Sequence, residues 1–200
     1  VVVANGCTDN TKDYLQSLGD LVKTVWHDEA LGFVKATNLG IVSSNSDFVI
    51  LLNNDTEILN CEKNSWINSL HEPFINNDKM ALTGSLQLYD SDIKKKFIVF
   101  CCAMIKRSVI DKIGLLDEIF SPGYGDDIDY TQRVELSGYE WKCIDKTVPN
   151  DELRMHIGTF PLLHKGNKTF CEIDEYHNVV AQRNRQILIE HNPDSDSEAH

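Results

Sequence analysis

Apolar positions along this 200-residue chain fall into short runs separated by polar punctuation. The clearest is Phe48-Val49-Ile50-Leu51-Leu52, set between Asp47 and Asn53. It is too short for a globular helix and too continuous for a strand with one wet face. The run therefore reads as a strand buried on both faces, as in a parallel sheet. It ends in Asn53-Asn54-Asp55-Thr56-Glu57. Ligands of open α/β sheets collect at the carboxyl ends of strands, so these polar residues stand where chemistry is expected, with a plain polar turn as the alternative reading.

The remaining runs supply the grammar around that strand. Val1-Val2-Val3-Ala4 is a β-branched run leading into turn and cap formers from Asn5 to Thr11, with Thr8 or Asp9 able to cap the next helix. That helix carries Tyr14, Leu15 and Leu18 and stops at Gly19. A second strand is expected over 21–26. A second helix follows, with Phe33, Ala36, Thr37 and Gly40 at i, i+3, i+4 and i+7. Strand, helix, strand, helix, strand is the order of a parallel sheet with right-handed crossovers, so 1–57 reads as a nucleotide-binding α/β half.

Beyond Glu57 a helix around Trp66, Ile67 and Leu70 is closed by Pro73. Strands are expected over 80–88 and 97–105, the second nearly all apolar and therefore central. Ser108 starts a short helix that Gly114 ends. Ser121-Pro122-Gly123-Tyr124-Gly125 is a loop that leads into Asp126-Asp127-Ile128-Asp129, where a helix runs to Ser137 and stops at Gly138. The helix dipole accounts for acids in a first turn but not for the glycine-rich approach to them. Asp129 and Arg133, at i and i+4, read as a structural pair. A strand over 139–144, an irregular stretch over 145–172 with His156 and His164, and an amphipathic helix through Tyr176, Val179, Val180 and Ile187 complete the domain at 192. Residues 193–200 read as a polar tail that frays.

Composition narrows the function classes. The formal net charge of −12 excludes a nucleic-acid partner, which needs a basic stripe. Clustered carboxylates in an acidic protein suit a divalent cation. No apolar run approaches the ~20 residues of a membrane span, and no basic leader precedes Val1 to Ala4, so neither a transmembrane segment nor a signal peptide is expected. Six cysteines without a CxxC pair read as reduced core residues of a cytoplasmic protein, with Cys101 and Cys102 on opposite faces of one strand. Asn54-Asp55-Thr56 and Asn167-Lys168-Thr169 match the glycosylation acceptor pattern, which arises often by chance. Trp66 reads as core or as a sugar platform, Lys165 as solvated or phosphate-binding, and His27 and His156 have no partner at a diagnostic spacing.

Four stretches taken together resemble the family 2 glycosyltransferases of the GT-A fold. They are Val3-Ala4-Asn5-Gly6-Cys7-Thr8-Asp9; Leu31-Gly32-Phe33 with Asn38-Leu39-Gly40; Leu52-Asn53-Asn54-Asp55; and Gly125-Asp126-Asp127-Ile128-Asp129. The Asn-Asn-Asp-Thr-Glu form and the Gly-Tyr-Gly-Asp-Asp stretch look most like the branch that includes rhamnosyltransferases. The resemblance implies an α/β fold with a GT-A (Rossmann-like) mixed, mostly parallel central sheet flanked by helices. It implies a single domain, with 1–57 as the nucleotide-binding half and 58–192 as the acceptor and catalytic half.

By position, the resemblance places Asn5 against the nucleobase and Asp9 in the loop around it. Asn54 falls near the ribose, and Gly32 and Asn38 complete the nucleotide-sugar-binding set. Asp55 takes the place of the metal-binding acid, Asp127 that of the catalytic base beside Asp126, and His164 that of a late histidine which reaches the metal in some members. Two departures stand out. Asn53-Asn54-Asp55 has one acid where a full DxD has two, which leaves the metal to one carboxylate, diphosphate oxygens and His164. The family's usual first strand and helix, which carry base contacts, are absent from these 200 residues.

The expected activity is metal-dependent, inverting transfer of a sugar from a UDP- or dTDP-sugar to a glycan or other hydroxyl acceptor. An imidazole ligand favours Mn²⁺ over Mg²⁺. Hydrolysis of a nucleotide sugar, or an inactive nucleotide- or carbohydrate-binding module, are the competing readings.

Overall fold

The fold is described here from a computed structural model, which covers residues 1–144, 149–150, 155–156, 159–165 and 174–191, with backbone alone at 149–150, 155–156 and 174–177. The expected tail at 193–200, Cys171 and the pattern at Asn167 lie outside the described residues. β1 (Val2–Asn5), α1 (Thr11–Ser17), a 3₁₀ turn (Gly19–Leu21) and β2 (Thr24–His27) come first. α2 (Gly32–Val42), β3 (Phe48–Leu52), β4 (Thr56–Ile58), α3 (Ser65–His71) and β5 (Met80–Gly84) follow. Then come β6 (Gln87–Asp90), β7 (Lys95–Ile98), β8 (Cys102–Lys106), α4 (Arg107–Ile113) and α5 (Asp126–Leu136). β9 (Glu140–Cys143), β10 (Pro149–Asn150), β11 (Met155–His156), β12 (Leu162–His164) and α6 (Asp174–His191) end the order.

The central sheet has the strand order β3-β8-β5-β9 and is mixed, as expected. β8 lies antiparallel to both β3 and β5, while β5 and β9 are parallel, so three strands share one direction and β8 alone opposes them. β8 is central, in keeping with its apolar sequence. β1 and β2 form a separate parallel pair, β6 and β7 an antiparallel hairpin, and β10-β11-β12-β4 an antiparallel sheet. Helices cover both faces. Among the described residues no helix is long and apolar enough to cross a membrane.

Alternation along the central strands divides the core in two. Val49 and Leu51 of β3, with Ala103 and Ile105 of β8, face a large cluster closed by Val34 and Ile41 of α2, Val109 of α4, Val134 of α5 and Leu188 of α6. Phe48 and Ile50, with Cys102 and Met104, face a second cluster with Leu70 of α3, Phe160 and Leu162. The run at 48–52 is thus packed on both faces, as a two-sided strand must be. Trp66 packs against the second cluster, which favours its core reading.

Several local expectations are corrected. The second strand begins at Thr24, because Gly19–Leu21 continues α1 as a 3₁₀ turn. Asn10 is the residue before α1, and Asp9 instead accepts from Thr11 N and Oγ1 at 3.0 and 2.6 Å in a turn ahead of the helix. The buried line of α2 is Val34, Asn38 and Ile41, one step from the stripe read through Phe33. The apolar runs at 80–88 and 97–105 each break into two strands, because β6 and β7 leave the central sheet to form their own hairpin. β8 therefore starts at Cys102, Cys101 precedes it, and both cysteines join the same cluster. Ser108 lies inside α4, which starts at Arg107. The stretch at 145–172 contains three short strands, β10 to β12, formed by pairing that starts at β4.

Gly84, at the end of β5, is fully buried beside β8 and β9, and a Cβ there would collide with the Cγ2 of Ile98, a side chain itself fully buried. Gly84→Ala is expected to lower stability by about 1–3 kcal/mol, as overpacking does. Urea melts of the variant check this, and a midpoint equal to that of the wild type refutes the close approach.

Candidate active site

β3 ends at Leu52, and the chain turns at once. Thr56 N–H and Oγ1–H both donate to the Asn53 carbonyl, at 3.3 and 2.6 Å, while Asn53 N–H donates to Cys101 O at 3.0 Å. This turn reverses the chain into β4 and leaves Asp55 beside the end of the central sheet. The antiparallel pairing of β12 with β4 sets His164 opposite Thr56, and Lys165 N–H donates to Asp55 O at 3.0 Å. Two residues far apart in sequence therefore meet, with His164 Nε2 3.2 Å from Asp55 Oδ1 and both side chains about nine-tenths buried.

The contact lacks the alignment of a hydrogen bond, and among the described residues no donor reaches the buried Asp55 Oδ1 or Asn53 Oδ1. Buried acceptors normally find a donor, and a carboxylate oxygen and an amide oxygen without one, beside an imidazole, suit a divalent cation. Among the described residues no three His, Cys, Asp or Glu side chains cluster as an ion site, so further donors must come from the Asn53 amide or from a bound substrate.

The second part of the site is the first turn of α5. Gly125, at φ +88°, precedes the helix, and Asp126 is almost completely buried while Asp127 keeps some solvent contact. Burial raises the Asp126 carboxyl well above the ordinary carboxylate range, and the neighbouring charge of Asp127 adds to this. Burial also pushes Asp127 up to about 7, against the pull of the Ile128 N–H, which donates to Asp127 Oδ1 at 2.9 Å. Asp126 is the more deeply buried of the two and the more strongly raised, and Asp127 is the group placed to change charge near neutral pH. Asp129 is bound to Arg133 at 2.8 Å, the structural pair that the spacing predicts.

Cys101 connects the two parts. Burial pushes its thiol up to about 12, and the charges of Asp55 and Asp127 both act on it. The carboxylate after β3 and the carboxylate opening α5 thus both lie within electrostatic range of one side chain.

The remaining candidates are spread more widely. Asn5 ends β1, and its Oδ1 accepts from Leu31 N–H at 2.9 Å, which ties β1 to the start of α2. Gly32 opens α2 at φ +75°, and the space a Cβ would need is filled by Pro122 of the loop before Asp126. Asn54 is exposed beside Asp55, and Asp9 is exposed on the surface. Asn38 is held at both ends of its amide by Leu116, donating to the carbonyl at 2.9 Å and accepting from the N–H at 3.0 Å, so its side chain serves packing. His27 bonds to the Glu29 backbone, and Lys165 lies 3.3 Å from Glu57. The side chain of His156 lies outside the described residues, although its backbone pairs with His164.

Sequence reading passed over Cys101, taken as plain core, and Asn184. The signal for Asn184 was its place at i+4 between Val180 and Leu188, an apolar stripe in which a polar residue needs partners.

A family model described as Glycosyl transferase family 2 matches residues 1–96, ending before Asp126 and His164. The structure resembles that of a mannosyltransferase from Pyrobaculum calidifontis, solved in complex with GDP-Man and Mn²⁺. The TM-score is 0.54 and the identity 15%, over 71% of this chain and 44% of that one. It also resembles glucosyl-3-phosphoglycerate synthase from Mycobacterium tuberculosis in complex with phosphoglyceric acid, at a TM-score of 0.49 and 17% identity over 72% of this chain and 58% of that one. The chain thus spans less than two thirds of the length of either protein. No curated protein sequence matches it. The likeness to the mannosyltransferase shows the fold, which is the GT-A fold.

The raised value of Asp127 has a thermodynamic consequence. A carboxyl whose folded value, about 7, exceeds its ordinary 3.8 contributes stability that is lost as pH rises from about 4 to about 7. Asp127→Asn removes this loss. In metal-free buffer the variant is expected to be more stable than the wild type at about pH 8, by on the order of 1–4 kcal/mol, with the gap closing toward about pH 4. Urea melts across this range check the sign, and a gap that widens at low pH contradicts it.

Proposed function

We propose that the chain carries a metal-dependent glycosyltransferase activity that moves a sugar from a nucleoside diphosphate sugar to a hydroxyl acceptor. The observation that carries this reading is an oxygen and imidazole donor set at the end of β3 together with a carboxyl poised near neutrality at the start of α5, both within electrostatic range of Cys101. The GT-A fold, the match to Glycosyl transferase family 2 over 1–96, and a structural neighbour solved with GDP-Man and Mn²⁺ support it.

In this reading Asp127 is the general base. It takes the proton of the acceptor hydroxyl as that oxygen bonds to the anomeric carbon, while the bond from this carbon to the diphosphate oxygen breaks and its electron pair leaves with the diphosphate. One base and no covalent intermediate give inversion at the sugar. Asp126, protonated, adds no second negative charge to the site. Asp55 and His164, with the Asn53 amide oxygen, would hold the cation, and the imidazole favours Mn²⁺ over Mg²⁺. When bound, the cation offsets the charge that grows on the departing diphosphate.

Asn5, Gly32 and Asn54 are the donor-side residues, with Asp9 shaping the loop after β1 and Asn38 omitted because its amide is occupied by Leu116. UDP or dTDP is the nucleotide, and residues 1–57 and 58–192 are the donor and acceptor halves of one domain. The Asn53 to Glu57 and Gly123 to Asp127 stretches favour the branch that includes rhamnosyltransferases, acting on a glycan acceptor in the cytoplasm.

A screen of nucleotide sugars by Mn²⁺-dependent thermal shift identifies the donor, because a bound donor stabilises the folded state. With that donor, Asp127→Asn is expected to lower transfer about 10²- to 10⁴-fold, the usual share of a general base, and to leave donor affinity unchanged. Transfer at the wild-type rate in this variant defeats the assignment of the base. Asp55→Ala is expected to weaken Mn²⁺-dependent donor binding by about tenfold or more in calorimetric titration, as loss of a charged ligand does. Equal affinity with and without Mn²⁺ in the wild type defeats the metal assignment. Free sugar released at full rate without an acceptor marks a hydrolase instead, and binding without turnover marks a binding module.

A further inference from the structure

The loop that delivers Asp126 and Asp127 is held almost entirely by α6. Arg183 Nη2 donates to the carbonyls of Ile119 and Ser121 at 3.1 and 2.6 Å. Asn184 Nδ2 donates to the carbonyls of Phe120, Gly123 and Tyr124 at 2.9, 2.8 and 2.9 Å. The Pro122 carbonyl accepts from Phe33 N–H of α2 at 2.6 Å. Every carbonyl from 119 to 124 thus has a donor outside the loop, and five of these six bonds come from two adjacent residues of α6. Packing follows the same route, because a Cβ on Gly125 would lie 2.9 Å from Leu188 Cδ1.

Asn184 is the centre of this arrangement. It is fully buried, and its Oδ1 accepts from Arg183 Nε and Nη2 at 2.8 and 2.6 Å, so the amide is fixed at both ends. Two amide hydrogens serve three carbonyls, which requires them to be shared and the loop to keep one shape. Without these hydrogens three backbone carbonyls lose a donor they cannot replace from water. The last carbonyl held, that of Tyr124, is followed by Gly125 and then by the two acids.

We propose that Asn184 is a positioning residue for the Asp126–Asp127 pair, fixing the loop so that the first turn of α5 presents Asp127 to the acceptor. This rests on the reading of Asp127 as base. The end of β3 that would hold the metal is built on β4, β8 and β12 and receives no bond from Asn184, and the Pro122 contact with Gly32 is held by Phe33 of α2, so loss of the Asn184 bonds separates turnover from donor binding.

The test uses Asn184→Asp, which keeps the shape and removes the N–H donors, beside Asn184→Ala and Arg183→Met. Turnover is measured with the nucleotide sugar that gives the largest Mn²⁺-dependent shift, binding with UDP and Mn²⁺ by calorimetry, and loop order by amide hydrogen exchange. Both Asn184 variants are expected to lose about tenfold or more in kcat, as misplaced catalytic groups do, with UDP affinity within about twofold of wild type. Exchange at 123–129 speeds up while that of β3 and β8 does not. Arg183→Met, which leaves the Asn184 Nδ2 donors in place but removes the bonds to its Oδ1 and to the carbonyls of Ile119 and Ser121, changes both readouts in the same direction by less, and it serves alone if the Asn184 variants do not fold.

Wild-type kcat in a folded Asn184→Asp, unchanged exchange at 123–129, or loss of UDP binding in step with kcat overturns the proposal. So does an Arg183→Met variant unchanged in both readouts when it is the only one to fold. Asp127→Asn run alongside separates the two readings. If it transfers at the wild-type rate, the base assignment falls and takes the proposal with it. If it is inactive while Asn184→Asp is fully active, the positioning role alone is lost.

Discussion

Of two adjacent carboxyls at the start of α5, one is kept out of water and the other keeps little contact with it, and a buried carboxylate is stable only where the surrounding structure cannot rearrange to hydrate it. Much of the fold around α5 serves that constraint. The loop before it has a donor for each carbonyl from 119 to 124, Gly32 gives up its side chain so that Pro122 can close against α2, and Leu188 packs on Gly125. The N-terminus of α5 offers backbone N–H groups to the same acids, which limits how far burial can raise them. The result is a carboxyl near neutrality in a place where its proton can change hands.

The other half of the site has a different origin. It is made by the end of a two-sided strand and the first reversal after it. β3 is anchored on both faces, so the turn at Asn53 starts from a fixed point. Among the described residues its side-chain oxygens, Asn53 Oδ1 and Asp55 Oδ1, find no donor, and β4 turns away to pair with β12 instead of extending the central sheet. The ladder that removes β4 also brings in His164. Cys101, just before the central strand β8, lies within electrostatic range of both halves, and burial, with a smaller push from their charges, keeps its thiol protonated.

The α/β order, the central place of β8, the two-sided burial of 48–52, and the helix that opens at Asp126 and stops before Gly138 were all legible in the chain, because each rests on a local pattern. The Asp129–Arg133 pair was legible for the same reason. Errors fell where a non-local contact competes with local pattern. One apolar run became two strands at 80–88 and again at 97–105, since hairpin pairing of β6 with β7 outweighs continuity. Other non-local contacts were simply invisible in the chain, as at Asn38, where Leu116, distant in sequence, holds both ends of the amide.

The chain order carries the chemistry of single residues: which strand ends in acids, which helix begins with them, which histidine comes late. It does not carry distance. His164 reaches Asp55 because β12 pairs with β4, and the loop at 119–125 is fixed because an asparagine within an apolar stripe of α6 meets its carbonyls. Strand pairing and buried side-chain hydrogen bonds join residues with no shared period, so folding alone determines which polar groups meet and which of them end up without water.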